Sequence, residues 1–332
     1  MKSIHGIQFI GTQRSGSNLL RVMLNQKDQI VAPHPPHILL NFNKILPSYG
    51  ALDNKQNFER LMEDAIAWVE NNPVPWENVV FDHTALIEEC RTHSLLEIFR
   101  VIYDAAARAE GADYWCCKSM ANVHVAQEFE DANIDPFYIY LFRDGRDVAL
   151  SFQKAIVGEK HIYHLAQKWR KDQMACIALR DVIPADRFIE VRYEDLVRNA
   201  EKEIRSMCET LKIPFQESFK DYHKSSESKN TSESGEMWQN VKKPVLKTNF
   251  NKFKAEMSRE DILVFESVAG DVLTELGYVL EHSPEELKKE FSEEEILGFD
   301  KINAALKKEA QKSAEPNDIL KRKWQSDFIN KA

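Results

Sequence analysis

The sequence predicts an α/β fold of three layers, in which a mainly parallel central sheet is covered by helices on both faces. Two observations predict it. Strand-like and helix-like hydrophobic patterns alternate along the 332 residues. In addition, Tyr114–Cys117 and Phe137–Phe142 are continuously apolar, which is typical of strands that are buried on both faces.

The chain begins with a unit of strand, turn and helix. We predict the first strand at Ile7–Ile10, a turn over residues 11–17 and a short helix over residues 18–25, whose apolar side chains share one face. A helical period then dominates residues 50–112. This period predicts a helical insertion, over about residues 38–112, after the first strand and helix.

The second half of the chain continues the alternation. Residues 187–193 alternate between polar and apolar side chains, which predicts a strand nearer the edge of the sheet. The helical period returns over residues 162–181, 200–212 and 258–276. These segments supply the helices that a parallel sheet needs on its faces.

Two later segments differ from the rest of the chain. Residues 223–248 contain a polar stretch that is too poor in apolar side chains to pack, so we predict a mobile loop or lid there. Residues 282–332 are charged and helix-prone, which favours solvated helices over a partner-binding arm. We therefore expect one α/β domain over residues 1–281, followed by a charged helical extension.

The net charge of the chain limits the classes of molecule that it can bind. A net charge of −9 argues against broad contact with nucleic acid or with anionic membranes, although a local basic pocket is allowed. Since no apolar run approaches the roughly 20 residues that span a bilayer, we predict a cytoplasmic protein without stable membrane association. Its five cysteines show no C-x-x-C spacing and are predicted to be reduced. The sequence is compatible with a homo-oligomer.

The most specific sequence motif lies between the first strand and the first helix. It has the G-x-x-x-x-G skeleton of a P-loop, but Ser17 and Asn18 stand where the Walker lysine and the magnesium-binding hydroxyl belong. We predict a P-loop-like turn whose cation is Arg14, which binds a phosphate or sulfate group without metal. The candidate binding residues are Thr12, Gln13, Arg14, Ser15, Gly16, Ser17 and Asn18.

A second motif follows the apolar strand at residues 137–142. Asp147 is the predicted N-cap of the next helix, and Ser151 lies one helical turn further on. Arg143 lies at the carboxyl end of the strand and could bind one phosphate group together with Ser151.

In this order, the two motifs resemble those of the sulfotransferases that use 3′-phosphoadenosine 5′-phosphosulfate (PAPS). In that family a P-loop-like turn with Lys or Arg binds the 5′-phosphosulfate, and an Arg followed eight residues later by a Ser binds the 3′-phosphate. The resemblance assigns Arg14 to the first role, and Arg143 with Ser151 to the second. It covers roughly residues 4–280.

Weaker motifs extend the resemblance. Lys118 and Ser119 are similar to the family's Lys-Thr/Ser element, which implies that Lys118 stabilises charge near the bridging oxygen of the donor. Tyr193 belongs to a stretch similar to the family's R-Y-E-D-L. A late loop that closes over the nucleotide is represented by Trp238, Lys242 and Lys243.

The sequence departs from the family pattern at two positions. The cytosolic members have an aromatic residue for adenine stacking where this chain has Leu19, and a catalytic histidine where it has Met120. Methionine cannot accept a proton at neutral pH. Related enzymes place a glutamate base after the first βα unit, where this chain has His34 and His37 around two prolines. We predict His34 as the base and His37 as an acceptor-orienting residue.

The resemblance implies an enzyme that moves the sulfuryl group of PAPS to a hydroxyl group of a small acceptor and releases 3′,5′-ADP. The net charge of −9 favours a small acceptor, such as an alcohol, a phenol, a sugar or a lipid head group, over a long polyanion. In-line transfer needs neutralised phosphate charge and a base, but no covalent intermediate and no metal. Two alternatives stay open, namely a P-loop-type kinase of small hydroxyl substrates and a non-catalytic nucleotide-binding protein on the same fold.

Overall fold

A single parallel sheet forms the centre of the protein. The computed structural model describes residues 3–233, 236–312 and 316–331, and within them the strand order is β2-β3-β1-β4-β5. All pairings are parallel, which confirms the predicted α/β fold. The strands are β1 His5–Ile10, β2 Ile30–Val31, β3 Tyr114–Cys117, β4 Phe137–Phe142 and β5 Phe188–Arg192.

Helices occupy most of the remaining described residues. Short 3-10 helices cover Leu46–Tyr49, Met120–Val125, Glu217–Lys224 and Glu236–Lys242. The α-helices are α1 Ser17–Leu24, α2 Ile38–Ile45, α3 Lys55–Glu70, α4 His83–Glu89, α5 Leu95–Ala109, α6 Ala126–Asp131, α7 Gly145–Gln153, α8 Ile162–Arg180, α9 Tyr193–Arg198, α10 Ala200–Thr210, α11 Ser226–Glu233, α12 Phe253–Glu256, α13 Arg259–Glu275, α14 Glu293–Lys312 and α15 Pro316–Lys331.

The central strands are buried on both faces, as their apolar runs predict. On one face, Phe9 and Leu141 pack against the helices α1 and α10. On the other face, Tyr138 and Tyr140 pack against α8. The alternating strand, β5, lies at the edge of the sheet, which confirms its predicted position.

The predicted helical insertion is the connection between β2 and β3. Its helices α2 to α5 form a separate apolar cluster, which includes Phe42, Phe58, Trp68 and Phe99. This cluster also contains Trp115 of β3, so that the insertion is fixed directly to the sheet. Its first helix begins next to the segment that contains His34 and His37.

The predicted N-cap of α7 is wrong, because the helix begins three residues earlier than the sequence pattern indicates. Asp144, rather than Asp147, precedes the helix, and its side chain accepts a hydrogen bond from the amide of Arg146 at 3.0 Å. Asp147 lies inside the first turn, where its carboxylate accepts from the amides of Asn251 at 2.7 Å and Phe253 at 3.0 Å. Asp147 therefore anchors a later segment of the chain instead of capping its own helix.

Much of the polar stretch predicted as a mobile loop is helical. Arg21 of α1 is fully buried, donates to Thr231 at 2.7 Å and forms an ion pair with Glu227. These polar contacts bury one face of α11, although the segment has few apolar side chains. Residues 234–235 lie outside the described part of the chain, and an opening of this segment stays a prediction.

The end of the chain packs against the insertion. Trp324 and Phe328 of α15 contact Trp68 of α3, with ring centres 6.3 and 5.8 Å apart. Phe328 also lies 5.9 Å from the ring of Phe42. Among the helices of the described ranges, none is both long and apolar enough to cross a membrane.

Candidate active site

The carboxyl ends of the parallel strands meet at one edge of the sheet, where a cavity of about 660 Å³ opens. Each strand is followed by a residue that lines this cavity, as is common for ligand sites of open parallel sheets. These residues are His34, Lys118, Arg14, Arg143 and Tyr193, in the order of the strands across the sheet.

The turn after β1 adopts a conformation that presents its backbone to the cavity. Arg14 and Gly16 have φ angles of 73° and 91°. A Cβ atom on Gly16 would lie 2.3 Å from the ring of Tyr193, so that only glycine fits here. The helix α1 begins directly after Gly16 without a side-chain cap, which leaves first-turn amide groups for an anion.

Two arginines connect this turn to the second motif. The Nε atom of Arg14 donates to the Oγ atom of Ser151 at 3.0 Å, and Arg143 donates to the carbonyl oxygen of Arg14 at 3.2 Å. Arg143 also donates to the carbonyl of Asn249 at 2.9 Å and lies 4.5 Å from the ring centre of Tyr193. Burial and the charge of Arg143 lower the pKa of Arg14. The two predicted phosphate-binding motifs therefore form one cationic surface.

Lys118 completes this surface at the end of β3. Its side chain is only 8% exposed and lines the cavity. Burial, followed by the charges of Arg21 and Arg14, lowers its pKa to about 7. A bound anion would favour the charged ammonium group and oppose this shift.

His37 is oriented by a neighbouring hydroxyl group. Its Nδ1 atom lies 3.0 Å from the Oγ atom of Ser119, next to Lys118. Its backbone is left-handed, with a φ angle of 57°, and it precedes α2. The residue as a whole is partly exposed, and it lines the cavity. A ring nitrogen held in this way leaves the other one for a substrate.

His34 lines the same cavity but is more deeply buried, at 5% exposure. Its ring packs edge-on against Trp238 at 4.9 Å, and both ring nitrogens are enclosed without a hydrogen-bond partner among the described residues. Its carbonyl accepts from the indole of Trp76 at 2.8 Å, and the carbonyl of Pro36 accepts from Trp68 at 2.7 Å. These bonds fix the turn that contains both histidines.

The environment lowers the pKa of both imidazoles. Burial, followed by the positive charge of Lys118, lowers the pKa of His37 to about 3 and places the pKa of His34 well below its ordinary value. Arg322 contributes to both shifts. An anionic ligand would oppose these charges and make the imidazoles more basic.

Comparison with known proteins decides the family. The model of the sulfotransferase family matches residues 7–217, which is more than half of the chain. The chain belongs to the sulfotransferase family. No curated protein shows a significant match to this sequence.

Solved structures show the same fold. The sulfotransferase domain from the Synechococcus PCC 7002 olefin synthase matches with a TM-score of 0.52 and 21% identity, over 80% of this chain and 95% of that domain. The sulfotransferase domain from the curacin biosynthetic pathway matches with a TM-score of 0.55 and 18% identity, over 84% of this chain and all of that domain.

Some of the predicted binding residues do not line the cavity. The hydroxyl of Thr12 donates to Asp172 at 3.1 Å, and the Oγ atom of Ser15 is buried. Lys242 and Lys243 are exposed outside the cavity. The turn's Thr12 and Ser15 can still offer backbone amides, and the roles of all four residues stay predictions. The other predicted site residues line the cavity, namely Gln13, Arg14, Gly16, Ser17, Asn18, His34, His37, Lys118, Arg143, Ser151, Tyr193 and Trp238.

The cavity also contains residues that were not predicted as site residues. The charged members of this group are Asp147, Lys154, Lys252 and Arg322. Asp147 belongs to the second motif, where it was predicted as a helix cap, whereas Lys252 and Arg322 stand in segments without a recognisable motif and reach the site only through the tertiary structure. Within the described ranges, no group of three or more His, Cys, Asp or Glu side chains is arranged to hold a metal ion.

Proposed function

We propose that the protein transfers the sulfuryl group of PAPS to a hydroxyl group of a small acceptor. The observation that supports this most strongly is the cationic surface formed by Arg14, Lys118 and Arg143 in one cavity, although the whole chain has a net charge of −9. The cavity thus concentrates positive charge where a ligand with several anionic groups would bind.

The donor fits this surface at both of its charged ends. The turn amides, Arg14 and Lys118 would hold the 5′-phosphosulfate, while Arg143 and Ser151 would hold the 3′-phosphate. The hydrogen bond of 3.0 Å between Arg14 and Ser151 connects the proposed 5′-phosphosulfate end of the site to the proposed 3′-phosphate end. Lys252 lines the cavity as a further cation.

The chemistry needs charge neutralisation and one proton acceptor. As the bond from the acceptor oxygen to sulfur forms, the bond from sulfur to the 5′-phosphate oxygen breaks, and 3′,5′-ADP leaves. Lys118 and Arg14 would stabilise the negative charge that develops on the departing phosphate. The hydroxyl proton of the acceptor passes to a histidine.

The geometry favours His37 as this base. Ser119 orients the ring of His37, and the residue is partly exposed to the cavity. A general base is often oriented in this way by a neighbouring side chain. His34 is the base favoured by position along the chain, but its ring nitrogens are enclosed behind Trp238. We assign His34 to shaping the acceptor end of the cavity.

The proposal is tested by incubating the purified protein with PAPS and a panel of alcohols, phenols and sugars, and by measuring the release of 3′,5′-ADP. We expect acceptor-stimulated release that persists in EDTA, because the Walker Lys-Ser/Thr pair is replaced by Ser17 and Asn18. Phosphoryl transfer from ATP that requires Mg²⁺ would indicate a kinase instead. Binding of PAPS without turnover would indicate a nucleotide-binding protein.

The substitution Arg143→Ala tests the 3′-phosphate site. We expect it to weaken binding of 3′,5′-ADP by about 1.5–3 kcal/mol, because a charge-assisted contact is lost. Adenosine 5′-phosphosulfate lacks the 3′-phosphate and should lose much less. Isothermal titration of both ligands measures the difference, and equal losses would remove Arg143 from this site. The matched control is Arg170→Ala, which removes an exposed arginine that pairs with Asp271.

A further inference from the structure

A polar side chain lies in the middle of the central strand. Gln8 of β1 is fully buried, and it pairs in the sheet with Cys117 of β3 on one side and with Tyr138 of β4 on the other. Its neighbours along the strand, Ile7 and Phe9, are apolar and equally buried. An amide group in such a place is unfavourable unless it forms hydrogen bonds, so its partners indicate what it does.

The side-chain amide of Gln8 binds the backbone on both sides of Lys118. Its Nε2 atom donates to the carbonyl oxygens of Cys117 at 3.1 Å and Ser119 at 3.2 Å, and it also lies 2.7 Å from the carbonyl oxygen of Phe9. Since β3 ends at Cys117, Lys118 and Ser119 lie beyond the ladder of the sheet. One side chain thus holds the residue before Lys118 and the residue after it.

The oxygen atom of the same side chain is also engaged. Asn122 is only 2% exposed, and its side chain donates to the Oε1 atom of Gln8 at 3.0 Å. The backbone amide of Asn122 donates to the carbonyl oxygen of Ser119 at 2.9 Å. Gln8 and Asn122 therefore form a closed set of hydrogen bonds around the segment that follows β3. A buried polar network with all its partners present fixes one conformation of the backbone.

The Lys118–Ser119 segment carries two groups of the proposed chemistry. Lys118 lines the cavity, and the hydroxyl of Ser119 orients the ring of His37. A change in the direction of the backbone here would move the ammonium group and the hydroxyl group together. A displacement of roughly 1 Å can reduce an enzymatic rate by about 10²-fold.

We propose that Gln8 is a positioning residue of the active site, which holds the Lys118–Ser119 segment so that the lysine meets the donor and the serine orients the base. This inference rests on the proposed sulfuryl transfer. Gln8 itself does not line the cavity and acts from behind it. An apolar side chain of the same length would pack in the strand, but it would leave the two carbonyl groups around Lys118 without this partner.

The test is Gln8→Met, which keeps the length of the side chain and removes its amide group. We expect 3′,5′-ADP to bind about tenfold more weakly or worse at pH 7, because the ammonium group of Lys118 is displaced from the anion. The loss of affinity between pH 7 and pH 9 should become smaller, since it depends on the titration of Lys118. With PAPS and a saturating acceptor, kcat should fall as well.

The matched control is Tyr138→Phe on the neighbouring strand. It also removes a buried hydrogen bond, from the tyrosine hydroxyl to Glu130 at 3.0 Å, but it does not touch the Lys118–Ser119 segment. Its affinity for 3′,5′-ADP and its kcat should stay within about twofold of the wild-type values. Equal losses in Gln8→Met and Tyr138→Phe would show a general effect on the core and would overturn the inference.

A second measurement needs no ligand. Burial, followed by the charges of Arg21 and Arg14, lowers the pKa of Lys118 to about 7, so a lysine that leaves this position should have a higher pKa. Acetylation by acetic anhydride over a range of pH, with mass spectrometry of the Lys118 peptide, measures the midpoint. We expect the midpoint to rise by about one pH unit or more in Gln8→Met and to stay unchanged in Tyr138→Phe.

Asn122→Leu is a milder variant that decides the question if Gln8→Met does not fold. It removes the partner of the Gln8 oxygen and should weaken binding of 3′,5′-ADP about threefold. Wild-type affinity together with a wild-type midpoint of Lys118 in the folded variants would overturn the inference. If the wild-type protein does not bind 3′,5′-ADP at all, the proposed function is contradicted, and the midpoint of Lys118 still decides the role of Gln8.

Discussion

Replacing His37 with alanine should lower kcat by about 10²–10⁴ while the affinity for 3′,5′-ADP stays nearly unchanged. The imidazole is the proposed acceptor of the hydroxyl proton, and it is held by Ser119 at 3.0 Å beside Lys118. Single-turnover rates with a large excess of acceptor, together with titration of 3′,5′-ADP, measure the two quantities separately.

Two matched variants identify the base. Ser119→Ala should reduce kcat less than His37→Ala, because it removes the orientation of the ring but keeps the ring itself. His34→Ala should mainly raise KM for the acceptor, since His34 shapes the cavity against Trp238. If His34→Ala lowers kcat by the larger factor and His37→Ala does not, the roles of the two histidines are reversed.

Binding of 3′,5′-ADP should weaken as the pH rises above 7. The pKa of Lys118 is about 7 in the free protein, so its ammonium group is charged below this pH and loses its proton above it. The anion binds the charged form and raises this pKa, and binding therefore takes up a proton. Between pH 7 and pH 9 the affinity should fall roughly 50-fold, provided that the bound lysine stays protonated. Since the second pKa of a phosphate is about 6, the ligand is already ionised throughout this range.

The control for this pH dependence is Lys118→Met. Its affinity for 3′,5′-ADP should be low at pH 7 and nearly constant up to pH 9, because the titrating group is gone. Calorimetry in two buffers of different ionisation enthalpy should also detect the proton uptake in the wild-type protein and not in the variant. A flat affinity profile for the wild-type protein would contradict the assignment of Lys118 to the donor site.

The sequence predicts the strands that are long and apolar, together with the turns that follow them. β4 is recognisable because all six of its residues are hydrophobic, and Arg143 follows directly from its end. β2 was missed, because its two residues, Ile30–Val31, are too few to show a period. Their place at the edge of the sheet depends on pairing with β3, which is a tertiary contact.

Three features could not be predicted from local patterns. The helix α11 is stabilised by the polar contacts of Thr231 and Glu227 with Arg21, whereas sequence patterns detect apolar burial. The cap at Asp144 was missed because Asp147 is an equally good capping residue by type. Arg322 lies in a charged helix whose sequence shows no relation to the phosphate-binding turn, and only folding brings the two together.

The buried Arg21 sets an order of assembly for the site. This arginine belongs to the first helix, but its carboxylate partner, Glu227, follows 206 residues later. A buried guanidinium without its partner is strongly unfavourable, so we expect α1 to be stable in its final position on the sheet only once the segment that contains Glu227 is in place. β1 likewise pairs with β3 and β4, which both come more than 100 residues after it. The contacts that create the anion site are thus of high sequence separation, and we expect folding of the site to be slow and late.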